Sequence, residues 1–247
     1  MNGFNKELFI GKTILIAGAG KGIGLACAKM AAELGGNVIA VARTQSDLDA
    51  LASQYPDRIE SWAMDVTSEV FFERVKALPV LHGLVNNAGI NRVGPMEDQS
   101  NENIDAVIDL NVRTLYKISQ SAITPMKNAD SASIVNMSSQ MGFVGSPNRT
   151  LYCMSKHAVE GITKAMAVEL AEFNIRVNTV APTFVLTPMT KPMFEDETFK
   201  KFVFDMIPLG RLGKVEDIAH SCTFLLSEMA SMITGTSIKV DGGWTAR

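Results

Sequence analysis

The sequence predicts one α/β domain in which a parallel sheet is covered by helices on both faces. Three observations predict it: β-branched runs alternate with helical segments, several runs are apolar throughout, and no linker or repeat divides the 247 residues. Strands buried on both faces of a parallel sheet lack the polar alternation of a half-exposed strand. Right-handed crossovers between such strands produce a doubly wound, Rossmann-type fold with seven parallel strands.

Seven strands and six long helices are predicted in alternation. The strands cover residues 13–17, 37–41, 59–64, 83–86, 133–137, 175–180 and 237–240. The helices cover residues 22–34, 46–54, 68–76, 101–126, 151–173 and 215–228. Most prolines fall between these elements, as expected of a residue without a backbone donor. We therefore expect residues 1–247 to form a single domain.

A long excursion, residues 187–213, separates the sixth strand from the last predicted helix. It holds three prolines and an amphipathic stretch at residues 194–206. One interpretation is a surface helix that packs its apolar face on the body of the domain. The other is a substrate lid, since long excursions in compact domains often move over a cleft.

Composition and charge exclude several classes of protein. Hydrophobic residues make up 47% of the chain and charged residues 20%, unlike a disordered protein or a coiled coil. The chain has 23 lysine and arginine residues and 26 acidic residues. This net charge of −3 does not indicate a basic surface for binding nucleic acid. No apolar stretch reaches the length of a membrane span. We expect no nucleic-acid or membrane partner and no metal site.

Cysteine usage and the first residues indicate the compartment. Cys27, Cys153 and Cys222 are odd in number, lie in apolar or helical contexts and share no CxxC spacing. Buried thiols of this kind suit a reducing compartment. The first twelve residues contain an apolar run of only three, too short for the core of a signal peptide. We expect a cytoplasmic protein.

A glycine-rich turn follows the first strand and precedes the first helix. Glycine lets the backbone turn tightly and approach a pyrophosphate, while the helix N-terminus supplies free N–H groups and a positive dipole. The turn therefore predicts a dinucleotide site. Its expected cofactor contacts are Gly18, Gly20, Lys21, Gly22, Ile23 and Gly24.

The end of the second strand indicates which dinucleotide binds. An NAD site usually places a carboxylate there for the ribose 2′-hydroxyl, but this chain has Arg43 and Thr44. Asp47 and Asp49 follow, in the first turns of a predicted helix. Arg43 and Lys21 together suit a 2′-phosphate, because arginine binds its oxygens bidentately and lysine adds a point charge. We predict NADP(H) as the cofactor, with Arg43 and Thr44 in its site.

Four further segments carry side chains suited to chemistry. They are Asn86-Asn87-Ala88-Gly89 after the fourth strand, Asn111 in the helix over 101–126, Ser138-Ser139 after the fifth strand, and Tyr152-x-x-x-Lys156. With the glycine turn, this ordered set resembles the short-chain dehydrogenase/reductase family over the whole chain. The resemblance implies an oxidoreductase that transfers a hydride between NADP(H) and a carbonyl or secondary alcohol.

The predicted catalytic set is Asn111, Ser139, Tyr152 and Lys156. Tyr152 and Lys156 lie four residues apart, so a helix places both on one face. A free tyrosine has a pKa of about 10, and an adjacent ammonium and an oxidised nicotinamide are expected to lower it. Ser139 donates to the substrate oxygen and holds it beside Tyr152. The family resemblance gives Asn111 a water-linked proton path to the lysine.

Further cofactor contacts follow from the resemblance alone. They match an adenine-contact pair, a segment that lines the cofactor, and a loop that meets the nicotinamide carboxamide. The residues are Asp65 and Val66; Asn87, Ala88 and Gly89; Pro182, Val185 and Thr187; and also Tyr152 and Lys156. Two positions depart from the family: Ala17 replaces a threonine before the glycine turn, and Thr183 replaces a glycine on the substrate side.

The substrate pocket is expected where polar residues surround the catalytic set. Its predicted members are Ser139, Gln140, Arg149, Asn91 and Arg92. Buried polar groups need partners, which favours a polyhydroxy substrate over a steroid or an alkyl ketone. The chain looks most like the sugar and polyol branch of the family, which includes L-xylulose reductase and gluconate 5-dehydrogenase. Arg92 and Arg149 either bind a substrate carboxylate or phosphate or stay solvated at the rim.

Two alternative functions stay open. The stretch 210–218 also resembles a 3-oxoacyl-(acyl carrier protein) reductase of fatty-acid synthesis, which predicts a basic docking patch for an acidic carrier. The other alternative is a non-catalytic NADP-binding sensor, against which the intact catalytic set argues.

The resemblance also implies a homotetramer, because members of the family are commonly tetramers. Its interface would include the two long helices predicted over 101–126 and 151–173. Their apolar residues Val107, Leu110, Leu115 and Ile118 would face either a partner or the chain's own core.

Overall fold

A computed structural model describes residues 3–187 and 190–246. In these ranges the strands are β1 (Thr13–Ala17), β2 (Asn37–Ala42), β3 (Ile59–Ala63), β4 (Gly83–Asn86), β5 (Ala132–Met137), β6 (Ile175–Pro182) and β7 (Ser237–Val240). All pair in parallel, in the order β3-β2-β1-β4-β5-β6-β7. The predicted doubly wound, seven-stranded parallel sheet is confirmed.

The helices pack on both faces of this sheet. Within the described ranges they are α1 (Gly22–Glu33), α2 (Gln45–Ala52), α3 (Glu69–Lys76), α4 (Asn101–Ile108), α5 (Leu115–Met126), α6 (Thr150–Leu170), α7 (Glu197–Met206) and α8 (Val215–Leu226). None of these helices is both long and apolar enough to cross a membrane. The predicted boundaries agree with the structure to within three residues, except in one helix.

Two hydrophobic cores lie on opposite faces of the sheet. Ile14 and Ile16 of β1 face the core under α1, α2 and α8, whereas Leu15 faces the core under α3, α5 and α6. All three side chains are buried, and burial of each contributes about 1.5–3 kcal/mol to folding. This two-sided burial explains why β1 shows no polar alternation.

The helix predicted over residues 101–126 is interrupted, which corrects that prediction. α4 ends at Ile108, a π-helical turn spans Asp109–Thr114, and α5 begins at Leu115. The wider turn carries Asn111, which is buried at 1% exposure. Such turns occur often at functional sites, and apolar periodicity does not reveal them.

The apolar residues of this interrupted helix serve the chain's own core. Val107, Leu115 and Ile118 are buried, and Leu110 is partly buried against the core under α5. Of the two interpretations left open for these side chains, the intramolecular one is therefore confirmed.

The excursion after β6 packs against the body of the domain. Pro188 and Met189, which belong to the predicted lid of residues 187–213, lie outside the described residues. A 3₁₀ turn, Lys191–Glu195, leads into α7, which buries Val203 in a third apolar cluster with Phe184 and Trp244. These contacts support the interpretation as a packed surface helix, while a lid movement stays a prediction.

Candidate active site

The predicted site residues lie at the carboxyl ends of the parallel strands. Strand order reverses between β1 and β4, and in such sheets the segments that leave the two strands diverge around a crevice. The segment after β1 carries the glycine turn, and the segment after β4 carries Asn87, Ala88 and Gly89. Asn87 Nδ2 donates to the Gly18 carbonyl at 3.0 Å, so the two segments are bonded to each other.

The glycine turn is too tight for larger residues. Gly18 and Gly22 adopt φ of +82° and +58°, which only glycine adopts readily. A Cβ on Gly24 would lie 2.1 Å from the Gly18 carbonyl oxygen. α1 begins at Gly22 and, within the described chain, has neither a side-chain cap nor an acidic residue in its first turn. Its free N–H groups fit the pyrophosphate of a dinucleotide.

The segment after β6 reaches the same turn. The Thr187 methyl group would lie 3.4 Å from a Cβ on Gly22, and the Thr187 amide donates to Thr190 Oγ1 at 3.0 Å. Val185 is buried and pairs with Gly213 in an isolated bridge. Thr187 is thereby held at the amino end of α1, while its contact with a nicotinamide carboxamide stays a prediction.

Two exposed cations, Lys21 in the glycine turn and Arg43 directly after β2, are the predicted ligands of a 2′-phosphate. Lys21 Nζ is 3.3 Å from Asp47 Oδ2, a pairing that was not predicted from the sequence. Arg43 makes no ion pair with any residue in the described ranges. Hydrogen bonds from Thr67 hold the pKa of Asp65 below its usual value, and the nearby charge of Arg43 lowers it further. Arg43 is therefore the freer of the two predicted phosphate ligands.

Lys156 is buried on α6, one turn after Tyr152, at 5% exposure. Its ammonium donates to the Met137 carbonyl at 2.8 Å and lies 5.5 Å from the centre of the Tyr152 ring. Burial lowers the pKa of Lys156 to about 8, against the opposing charge of Glu160. A Cβ on Gly89 would lie 3.8 Å from this ammonium, so the segment after β4 also borders it.

Tyr152 departs from the expectation that Lys156 lowers its pKa. Burial raises the pKa of Tyr152 to about 12, and a hydrogen bond with Ser139 and the charge of Arg149 oppose this only in part. The Lys156 ammonium bonds to the Met137 carbonyl instead of the phenol. The prediction is therefore wrong for the chain by itself. A bound oxidised nicotinamide would supply a positive charge that lowers this pKa, which stays a prediction.

Asn111 is held by the backbone after β4. Its Oδ1 accepts from the Ile90 amide and its Nδ2 donates to the Ile90 carbonyl, both at 2.8 Å. Nδ2 also donates to Ser155 Oγ on α6 at 3.1 Å. The π-helical turn, the segment after β4 and α6 are thus joined beside Lys156. These bonds fix the position of Asn111, whose role in a proton path to the lysine stays a prediction.

The predicted substrate-side residues differ in burial. Gln140 and Arg149 are buried, whereas Arg92 is exposed. The amide oxygens of Gln140 and Asn91 are buried and have no hydrogen-bond partner in the described part of the chain. The Gly94 amide donates to the Asn148 carbonyl at 2.9 Å, which joins the loop after Asn91 to the segment before α6.

Several residues around the site were not predicted from the sequence. Glu160, four residues after Lys156, is buried and accepts from Thr179 Oγ1 at 3.0 Å. Phe184 and Phe199 flank the Arg149 guanidinium, whose carbon lies 5.9 and 5.5 Å from their ring centres. The spacing of Glu160 from Lys156 is visible in the sequence. No local signal links Arg149 to Phe199.

Known proteins resemble this chain in both sequence and fold. The family described as Enoyl-(Acyl carrier protein) reductase matches residues 18–245. L-xylulose reductase from Bos taurus is 38% identical over 238 residues, 96% of this chain and 97% of that protein. The 3-oxoacyl-[acyl-carrier-protein] reductase from Thermotoga maritima is 39% identical over 241 residues, 94% and 97% of the two chains. A gluconate 5-dehydrogenase from Burkholderia cenocepacia, solved with NADP and tartrate, has a TM-score of 0.92 at 26% identity and 98% coverage of both chains.

The crevice, the glycine turn and the Ser139–Tyr152–Lys156 cluster define a nucleotide-dependent oxidoreductase. The chain belongs to the short-chain dehydrogenase/reductase family. Within that family, its resemblance to the sugar and polyol branch is confirmed by these relatives.

We expect Gly24→Ala to weaken NADPH binding at least about 100-fold, because the new Cβ collides with the Gly18 carbonyl and displaces the turn. Titration of NADPH fluorescence measures the Kd. Gly161→Ala is the matched control, since a Cβ there meets nothing within 4 Å. It should leave the Kd unchanged and stabilise α6 by about 0.5–1 kcal/mol. Normal NADPH affinity in Gly24→Ala would contradict the tight turn.

The free energy of unfolding should rise with pH because Lys156 has a lowered pKa in the folded chain. The folded-state pKa is about 8 and the ordinary value is 10.5, so between them only the unfolded chain retains the proton. Relative to Lys156→Met, the wild type should gain up to about 2 kcal/mol of unfolding free energy from pH 7.5 to 9.5. Urea unfolding at both pH values measures this gain, with the exposed Lys201→Met as control. Above about pH 10, Tyr152 acts in the opposite direction, because its folded-state pKa is raised to about 12. If the unfolding free energies of the wild type and Lys156→Met change equally with pH, the lowered pKa of Lys156 is refuted.

Proposed function

We propose that the protein reversibly transfers a hydride between NADP(H) and a carbonyl or secondary alcohol of a ketose, polyol or sugar acid. The observation that carries this proposal is that two of the three buried amide oxygens without a partner in the described residues, Asn91 Oδ1 and Gln140 Oε1, belong to the predicted substrate side; the third is Asn86 Oδ1, at the end of β4. Buried acceptors need donors, and the hydroxyl groups of a sugar supply them. Gln140 directly follows Ser139, so these hydroxyls would lie next to the reacting carbon.

The catalytic residues have separate roles in this proposal. Ser139 donates a hydrogen bond to the substrate carbonyl and holds it beside Tyr152. During reduction, the carbonyl carbon gains the hydride and the developing alkoxide takes the phenolic proton of Tyr152. Lys156 supports the phenolate that remains, and Asn111 keeps the neighbouring backbone in position. NADPH, when bound, supplies the hydride.

The proposed cofactor is NADP(H) rather than NAD(H). Arg43 is exposed and forms no ion pair with the described residues, although Asp65 lies near enough for its pKa to be lowered by the charge of Arg43; the guanidinium therefore stays available for a 2′-phosphate. Lys21 contributes less, because it shares its charge with Asp47. The gluconate 5-dehydrogenase with the same fold is solved with NADP, which supports this choice.

A 3-oxoacyl thioester reductase is the second candidate, favoured by the 39% identical relative. Such an enzyme needs free positive charge to dock an acidic carrier protein. Three cations on or after α7 instead lie 2.6–3.0 Å from carboxylates of the same chain. The pairs are Lys200–Glu197, Lys201–Asp205 and Arg211–Asp217. This pairing favours the small polar substrate.

We also propose a cytoplasmic homotetramer. All three cysteines are unpaired thiols, as suits a reducing compartment. Tyr116 on α5 and Val168 on α6 are exposed at 50% and 83%, and a partner subunit would cover them. These exposed side chains and Met154 on α6, rather than Val107 or Ile118, are apolar groups available for an interface.

Initial rates of NADPH oxidation test the proposed activity. The panel contains a ketose, a keto sugar acid, a diketone and a 3-oxoacyl thioester. We expect the sugar substrates to react fastest and Tyr152→Phe to lower kcat about 10²–10⁴-fold, because it removes the proton donor. Tyr55→Phe is the matched control, since that phenol bonds to Glu33 at the surface. A preference for the thioester would favour the second candidate. Absence of turnover with every substrate while NADPH still binds would indicate a sensor, and undiminished turnover in Tyr152→Phe would contradict the role of Tyr152 as proton donor.

Arg43→Asp tests the cofactor. The substitution places a carboxylate where a 2′-phosphate is expected, so kcat/KM for NADPH should fall at least about 100-fold while that for NADH changes little. Arg43→Lys, which keeps a point charge, should retain part of the NADPH preference. Equal losses with both cofactors would contradict the role in 2′-phosphate binding.

A further inference from the structure

Arg149 is a buried cation without a counter-ion. It is 7% exposed, and no carboxylate of the described residues lies within ion-pair distance of its guanidinium. The contacts that it makes are a long hydrogen bond from Nη2 to Met193 Sδ at 3.9 Å and the faces of Phe184 and Phe199. The other buried arginine, Arg176, differs, because it donates to the Leu225 and Ser227 carbonyls at 2.8 and 3.0 Å.

This guanidinium lies on the substrate side of the site. Arg149 directly precedes α6, three residues before Tyr152. The two rings beside its guanidinium come from the segment after β6 and from α7. The positive charge of Arg149 lowers the pKa of Tyr152, although burial raises that pKa by more. The guanidinium is therefore enclosed between the catalytic helix and the excursion that follows β6.

The backbone before Arg149 is held in an unusual conformation. Asn148 adopts φ of +60°, in the left-handed region that asparagine adopts more often than most other residues with a side chain, and its carbonyl accepts from the Gly94 amide at 2.9 Å. This conformation and bond direct the chain into α6 and fix where the Arg149 side chain begins.

A buried charge is costly unless an anion pairs with it. The two aromatic faces compensate part of this cost through cation–π contacts. Burial lowers the pKa of both Arg149 and Arg176, but of these two only Arg176 has carbonyl acceptors for its guanidinium. A ligand that brings its own negative charge would complete the pair.

We propose that Arg149 binds the carboxylate of the substrate, so that the enzyme acts on a keto or hydroxy sugar acid rather than on a neutral sugar. This inference rests on the proposed function and names its substrate class. A guanidinium binds a carboxylate bidentately, and one positive charge balances one negative charge. A phosphate carries about −1.5 to −2 and needs a second cation, whereas Arg92, the other predicted candidate, lies exposed.

A matched pair of ketones tests the inference. 5-Keto-D-gluconate and L-sorbose have the same carbon chain and the same ketone, but one ends in a carboxylate and the other in CH₂OH. We expect the wild type to prefer the keto acid by at least about 100-fold in kcat/KM. Arg149→Met should lower this ratio at least about 30-fold. Because both substrates use the same Tyr152, effects of the substitution on proton transfer cancel in the ratio.

Two further variants and substrates sharpen this test. Arg149→Lys keeps the positive charge but cannot bind a carboxylate bidentately, so its kcat/KM ratio of keto acid to sorbose should lie between those of the wild type and Arg149→Met. This variant replaces Arg149→Met in the test if Arg149→Met does not fold. Arg149→Met itself should change Tm little, because removal of a buried charge offsets the loss of the contacts with Phe184 and Phe199. An unchanged ratio in these variants would overturn the inference, as would a preference of the wild type for fructose 6-phosphate over the keto acid.

Binding measured by calorimetry separates the two proposals. If neither ketone is reduced, the proposed activity fails, but gluconate and glucitol can still be titrated into the enzyme–NADPH complex. Gluconate binding at least about 30-fold tighter than glucitol, and loss of that difference in Arg149→Met, would support the carboxylate site. Equal affinity for the two probes would overturn it.

Discussion

The polar face that α6 presents to the sheet is the constraint on which the site depends. Lys156 donates to the Met137 carbonyl at the end of β5, and Glu160 accepts from Thr179 on β6. Buried polar groups must keep their partners, so these bonds fix the register of α6 on the two strands. Tyr152, one turn before Lys156, is thereby held next to Ser139 at the carboxyl end of β5.

Burial shifts both titrating groups of this site toward their neutral forms. The pKa of Tyr152 is raised to about 12 and that of Lys156 is lowered to about 8. Proton exchange near neutral pH therefore depends on charges that ligands bring into the site. Arg149 extends the same principle to the substrate side, where the chain provides a cation and leaves the anion to the ligand.

The sheet and the segments that leave it have different physical tasks. β1, β4 and β5 are buried on both faces, and this close packing holds the strand ends in fixed positions. The segments after β4 and β6, together with α7, supply Asn91, Phe184 and Phe199. This division explains how relatives named for a sugar and for an acyl thioester share one fold with this chain.

Local pattern and spacing were sufficient to predict the α/β fold, the glycine turn and the Tyr152–Lys156 pair. Each of these depends on residues that are close together in the chain: apolar runs for strands, glycines for a tight turn, and four-residue spacing for one helix face. Only the tertiary structure decided the π-helical turn at Asn111, the pairing of Lys21 with Asp47, and the enclosure of Arg149 by Phe199. The Lys21–Asp47 and Arg149–Phe199 contacts join residues that are distant in the sequence, and the π-helical turn places Asn111 against Ile90 and Ser155 of other segments; local patterns contain none of these contacts. The sequence thus determined which chemical groups this protein has, and the packing of distant segments decided which of them are left without a partner.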